Sequence, residues 1–153
     1  MRITPVSPHD PAVLALLAAS DAYHEALYPA ESNHLEDPDD LDRPNVALFG
    51  GFVDGTLAAI GAIKLVDGDV RYAEVKRVWV DPAHRGGGRS KLVMAHLEDE
   101  ARARGAAVAR LETGISQPEA IGLYRRLGYA ERPPFGDYLP DPLSIFMEKP
   151  LAG

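Results

Sequence analysis

The spacing of apolar and polar positions divides the chain into short alternating elements. Arg2-Ile3-Thr4-Pro5-Val6 reads as a first strand, placed near an edge because Pro5 has no N–H to give to a ladder. Asp10 followed by Pro11 predicts a helix start. The side-chain oxygen caps free N–H groups, and proline at the first helical position loses no hydrogen bond. Val13, Leu16, Leu17 and Leu27 recur at helical spacing with Tyr23 near the same stripe, so this helix should end about Tyr28-Pro29. Residues 46–53 and 56–66 are β-rich runs joined by Asp54-Gly55, the dipeptide of a type I′ hairpin. Asp67-Gly68-Asp69 predicts a second turn, and residues 71–80 a third strand of an antiparallel meander, closed by Asp81-Pro82.

Helical spacing returns over residues 90–104, where Leu92, Val93, Leu97 and Ala101 form one stripe. Glu98 with Arg102 and Glu100 with Arg104 are expected as i, i+4 pairs on its wet side, with Gly105 just past its end. Residues 107–113 form the next strand, ended by Gly114. The intervening helix lets it lie parallel to, and beside, the strand over 71–80. Gln117-Pro118-Glu119-Ala120 opens another helix, which carries Ile121, Leu123, Tyr124 and Leu127 and stops at Gly128; residues 143–149 are a last strand. The expected order is β-α-(α)-β-β-β-α-β-α-β, an α/β (mixed α+β) chain.

The bracketed helix falls between Tyr28 and Asn45. Here Glu31, Glu36, Asp37, Asp39, Asp40 and Asp42 stand against Arg43 alone, among prolines at 29, 38 and 44. Two readings compete: a solvated loop with a short helix, which is preferred, or a rim whose negative field draws cationic amines.

Composition narrows the function. At 153 residues and 46% hydrophobic, the chain suits a single domain, 1–153, with a real core. The absence of cysteine excludes disulfides, thiolate zinc sites and a cysteine acyl-enzyme, and agrees with a reducing cytoplasm. A net charge of −7 without a polycationic face argues against nucleic acid. MRITPVSPHD lacks a signal-type apolar region, and the longest apolar run, residues 12–19, is too short to span a membrane. Histidines 9, 24, 34, 84 and 96 show neither an i, i+4 pair nor a ligand set, so no metal is expected.

The remaining chemistry gathers at Arg85-Gly86-Gly87-Gly88-Arg89-Ser90, between a strand and a helix. Successive glycines leave amide N–H groups unshielded, a helix N-terminus adds unpaired donors, and Arg85 and Arg89 add charge, which together suit a pyrophosphate. The P-loop pattern fails, because its first glycine falls on Ala83 and its lysine on Arg89. The G-x-G-x-x-G fingerprint fails because its last glycine falls on Lys91.

The pattern that fits is R-x-x-G-x-G/A, and on these residues the chain resembles the GNAT superfamily of acetyl-CoA-dependent N-acetyltransferases. Arg85, Gly86, Gly88 and Ser90 fall on the motif, with Ser90 departing from the usual glycine or alanine. The run Ala120-Ile121-Gly122-Leu123-Tyr124-Arg125-Arg126-Leu127-Gly128-Tyr129 resembles the family stretch A-x-x-L-Y-x-x-x-G-F/Y. The resemblance implies a GNAT fold, a central mixed but mostly antiparallel sheet with helices on both faces. It implies that residues 85–90 hold the pyrophosphate of coenzyme A, Gly87 and Arg89 included, and that Val78, Trp79 and Val80 offer backbone groups to the pantetheine arm. The Trp79 side chain is read as core.

Acyl transfer from a thioester to an amine needs a neutral amine, a donor for the oxyanion and a proton for the thiolate. The resemblance implies Tyr124 as that acid and Glu74 as a base acting through water; an ion pair with Lys76 on the same face explains Glu74 equally well. Glu112 is a second candidate, with pairing to Arg110 as its alternative. Gln117 stands where the family often has an asparagine contacting the cofactor. Glu31 and His34 are candidates for the acceptor side, as are Asp137 and Tyr138, which could instead cap the last hairpin. The expectation is an N-acetyltransferase acting on a small amine or amino-acid-like molecule, with a homodimer admitted. The alternatives are a non-catalytic acyl-CoA-binding domain and a protein lysine or N-terminal acetyltransferase.

Overall fold

In the computed structural model, which describes residues 1–33 and 35–151, seven strands form one sheet in the order β1-β2-β3-β4-β5-β7-β6. In chain order the elements are β1 (Arg2–Pro5), α1 (Pro11–Leu27), α2 (Pro38–Leu41), β2 (Val46–Val53), β3 (Thr56–Asp67), β4 (Arg71–Val80), α3 (Arg89–Ala103), β5 (Val108–Gly114), α4 (Pro118–Arg126), β6 (Ala130–Arg132) and β7 (Ser144–Pro150). Neighbours pair antiparallel except β4 and β5, which are parallel across the α3 crossover. Asp54 and Gly55 both have positive φ, 49° and 80°, as a type I′ turn requires, and this pins the register of β2 on β3.

Helices cover both faces. Val13, Leu16 and Leu17 of α1 pack on Ile60, Ala62 and Trp79, whereas Val93, Met94 and Leu97 of α3 pack on Ala59, Ile63 and Val80. Being covered on both sides, β3 is buried almost continuously from Leu57 to Ile63 instead of alternating. At Gly61 the sheet and α3 come so close that a Cβ would lie 2.7 Å from Val93 Cγ1.

Four expectations need correction. Tyr23 and Leu27 lie outside the α1 stripe and are exposed; Ser20 completes its buried face. Leu92 is 48% exposed. At about 100° per residue the buried arc of α3 runs from Val93 round to Glu98, and Leu92 lies about 100° beyond its edge. Glu98 is accordingly buried, not on the wet side, and accepts hydrogen bonds from Tyr129 Oη (2.9 Å) and Lys149 Nζ (2.7 Å). Finally, β6 was not anticipated: three residues after Gly128 add an edge strand to β7.

Two irregularities interrupt the pairing of β4. Trp79 pairs with Ile60 and Lys76 with Ala62, so Arg77 and Val78 together face Gly61 in a bulge. Arg77 takes φ 57° there, held by hydrogen bonds from Nη1 to Asp21 (2.7 Å) and from Nη2 to the Leu17 carbonyl (3.3 Å). The β4–β5 ladder, moreover, covers only Tyr72 to Glu74 opposite Val108 to Arg110. Beyond it the two strands no longer pair.

Candidate active site

The glycine turn sits between a short 3₁₀ turn, Pro82–His84, and the start of α3. Gly88, at φ 72°, is the residue before the first helical turn, and α3 has no side-chain cap. The first N–H groups of the helix therefore stay open to an anion. Gly86 has φ 90°, and a Cβ built on Gly86 or Gly88 would meet no atom within 4 Å. The turn is thus an exposed cradle of backbone donors, which fits a diphosphate. The arginines differ from expectation in what they hold. Arg85 folds back, its Nε donating to the Val80 carbonyl (3.0 Å) and its guanidinium lying 4.7 Å from the Trp79 ring centroid; Arg89 Nη1 donates to the His84 carbonyl (2.8 Å). Both buttress the turn while keeping their charge beside it.

Where β4 and β5 part, a cavity of about 100 Å³ opens, lined by residues 74–78 of β4 and 111–114 of β5. Tyr124 of α4 lines it, as do Gln117 and Tyr28. Burial, and after it the charge of Glu112, push the Tyr124 phenol up to about 12, so it stays protonated at neutral pH. Tyr28, just past α1, reaches across the mouth. Its Oη donates to Gln117 Oε1 and accepts from the Ser116 N–H, both at 3.2 Å, and its ring lies so close over Gly114 that a Cβ there would sit 1.9 Å from the phenol oxygen. Gln117 is therefore held by Tyr28 at the cavity wall, at the opening of α4.

Glu74 lies in a buried charge cluster. Tyr138 Oη donates to Glu74 Oε2 (2.6 Å), and Lys76 Nζ lies 3.0 Å from the same oxygen, 3.1 Å from Tyr138 Oη and in ion-pair contact with Glu36. Burial works against the Lys76 charge, but the Glu74 and Glu36 carboxylates outweigh it and hold the ammonium above its ordinary range; burial, then the Glu74 charge, raise the Tyr138 phenol. Glu74 is ion-paired to Lys76, as the ion-pair reading expects, and it also lines the cavity. Glu112 does not pair with Arg110. Arg110 binds Asp69 and Glu148, and Glu112 accepts from Ser144 Oγ (2.8 Å). The acidic segment after α1 is more than a solvated loop, since Asn33, Leu35 and Glu36 line the cavity. Tyr138 belongs to the cluster, whereas Asp137 and Glu31 are exposed on a larger outer cleft, and His34 lies outside the described residues. Among the described residues no group of three His, Asp or Glu could hold a metal ion, and no helix is long and apolar enough to cross a membrane.

A family model described as the acetyltransferase (GNAT) family matches residues 14–129. The chain belongs to the GNAT family. An "IAA acetyltransferase" of Azospirillum brasilense is 48% identical over 145 residues, 95% of this chain and 94% of that protein. A crystal structure from Klebsiella pneumoniae, named as a candidate acyl-CoA N-acyltransferase, is 41% identical with a TM-score of 0.82 and covers 99% of this chain and 97% of that one. The PaiA N-acetyltransferase of Thermoplasma acidophilum, solved with coenzyme A, shares the fold at 16% identity, with a TM-score of 0.73 over 97% of this chain and 98% of its own. This GNAT protein is therefore an acyltransferase with a mixed, mostly antiparallel sheet between helices.

The structure brings Tyr124, Glu74, Val78 and Gln117 around one cavity; Trp79 and Val80 continue β4 past it, toward residues 85–90. The Trp79 side chain is buried core against Tyr23, as read. Sequence reasoning missed Tyr28 as a wall of the site, and had no signal for it: a tyrosine ending a helix carries no trace of a partner nearly ninety residues away. Lys76 and Glu36 were visible only as charges, because their meeting depends on how the loop after α1 folds onto β4.

Proposed function

We propose that this GNAT protein is an acetyl-CoA-dependent N-acetyltransferase that passes the acetyl group directly to the amine of a small molecule. The observation that carries the reading is the half-buried Tyr124, its phenol kept protonated on the cavity where β4 and β5 separate, with the Glu74 carboxylate on the same cavity. Acetyl-CoA, when bound, supplies an activated thioester. Backbone N–H groups of residues 86–90 would hold its diphosphate, and the unpaired edge of β4 at residues 78–80 its pantetheine arm. A free N–H along that edge would stabilise the oxyanion. Glu74 takes a proton from the incoming ammonium, directly or through water; after attack, Tyr124 gives one to the departing thiolate and is restored by the excess proton on the new amide nitrogen. The absence of a cysteine to form an acyl-enzyme supports direct transfer.

The test is thiol release from acetyl-CoA against a panel of amines. Tyr124→Phe should lower kcat by about a hundredfold or more while coenzyme A affinity, measured by calorimetry, stays as in the parent. Unchanged turnover in that variant removes Tyr124 from the chemistry; no thiol release with any amine removes the transfer reading.

A further inference from the structure

Six residues, Asn33, Leu35, Glu36, Glu74, Lys76 and Tyr138, line both the inner cavity and an outer cleft of about 1160 Å³. The wall between the two spaces is thus the charge cluster itself. Its side chains are largely hidden, with relative exposures of 7% for Glu74, 9% for Lys76 and 21% for Glu36. Counting formal charges, two carboxylates share one ammonium, which leaves a surplus of one negative charge. The Tyr138 phenol, kept protonated, donates to Glu74 but brings no charge.

A buried surplus carboxylate is costly unless a cation offsets it. Among the described residues, no cation besides Lys76 is paired with either carboxylate. Lys76 contacts Glu36 through Oε1 and Glu74 through Oε2, and Tyr138 uses the same Glu74 Oε2. Glu36 Oε2 and Glu74 Oε1 have no hydrogen-bond or ion-pair partner among the described residues. Neither is among the polar atoms sealed from solvent without a partner, which are Arg77 Nε, Trp79 Nε1 and His96 Nε2. Two open carboxylate oxygens therefore stand on the wall between a wide outer cleft and a small cavity that holds the proton donor.

We infer that this wall is an ammonium-docking site, and that it selects acceptors entering as primary alkylammonium ions. The body of the acceptor lies in the outer cleft, and its –NH₃⁺ group completes the charge balance by donating to Glu36 and Glu74 beside Lys76. Lys76 is a positioning residue: it draws the two carboxylates together and leaves one of their charges for the substrate. This rests on the acetyltransferase reading and extends it. Acceptors that are neutral at neutral pH, aryl amines among them, and quaternary ammonium ions, which have charge but no N–H donor, are disfavoured.

The probe is n-butylammonium chloride, with n-butanol and tetramethylammonium chloride as controls for chain length and charge, all at matched ionic strength. The thermal midpoint of the full chain should rise with n-butylammonium, as for any ligand that binds only the folded state, and with neither control. The rise should be at least halved in Glu36→Gln, whose cluster is neutral. It should exceed the parent's in Lys76→Met, whose cluster carries two uncompensated charges, each shift being taken from the variant's own starting midpoint. In turnover, KM for alkylamines should rise about tenfold or more in Glu36→Gln, with kcat falling by less than KM rises. Equal stabilisation by the controls, or shifts unaltered in both variants, overturns the inference. If n-butylammonium stabilises as described but no amine releases thiol, docking stands and the transfer reading falls; thiol release without any of these shifts does the reverse.

Discussion

A one-at-a-time alanine series through the three glycines separates what the turn's backbone needs from what its packing needs. Gly86 and Gly88 have φ of 90° and 72°, and a Cβ at either meets nothing within 4 Å, so alanine costs only the backbone term. For an L-residue that is about 1–2 kcal/mol at each position. Gly87 is the opposite case. Its φ is not in the left-handed region, but a Cβ would lie 2.5 Å from Arg89 Nη1, the far end of a flexible side chain. Arg89 can swing aside at the expense of its bond to the His84 carbonyl, about 0.5–1.5 kcal/mol, and the stiffer unfolded chain returns about 0.4–1 kcal/mol of that. Urea unfolding should therefore show Gly86→Ala and Gly88→Ala clearly destabilised and Gly87→Ala close to the parent. Calorimetric titration with coenzyme A should show at least about a tenfold loss of affinity at 86 and 88, because donors aimed by those dihedrals are re-aimed. A Gly87→Ala variant as unstable as its neighbours, or full coenzyme affinity in the other two, would refute the reasoning.

Two further outcomes come from protonation and from packing. The folded chain raises the Tyr124 phenol from 10.0 to about 12, so the folded state keeps a proton that the unfolded state releases first. This contribution is complete below the unfolded pKa and disappears as pH rises through the folded one. Between about pH 9 and 11 the parent should lose about 1 kcal/mol more stability than Tyr124→Phe. Tyr129 and Tyr138 are raised in the same direction, so only the difference between the two proteins is diagnostic, and equal slopes would show that Tyr124 is not held as described. Gly61→Ala should overpack β3 against Val93 and Leu97, where a Cβ would stand at 2.7 and 3.1 Å, and lower the unfolding free energy by about 1–3 kcal/mol; denaturant melts at constant m-value check this.

What could be read along the chain were local signals with local causes. Asp10-Pro11 set the start of α1, Asp54-Gly55 set a hairpin with both residues at positive φ, and the glycine turn announced an uncapped helix N-terminus. Tyr124 and Gln117 were legible because their spacing follows a family pattern on one helix. The cavity wall was not legible. Glu36 meets Lys76 only because the loop after α1 folds across β4, and Tyr138 reaches Glu74 from 64 residues away. Glu98 read as a solvent-facing ion pair until Tyr129 and Lys149 closed over it. Periodicity tells which way a side chain points along its own element, but not what another element brings to meet it. The short-range sequence determined most of the elements, their turns and the glycine turn at the start of α3. Tertiary packing alone decided where β4 and β5 separate, which charges are buried together there and which carboxylate oxygens remain open, because each of these depends on contacts between distant parts of the chain.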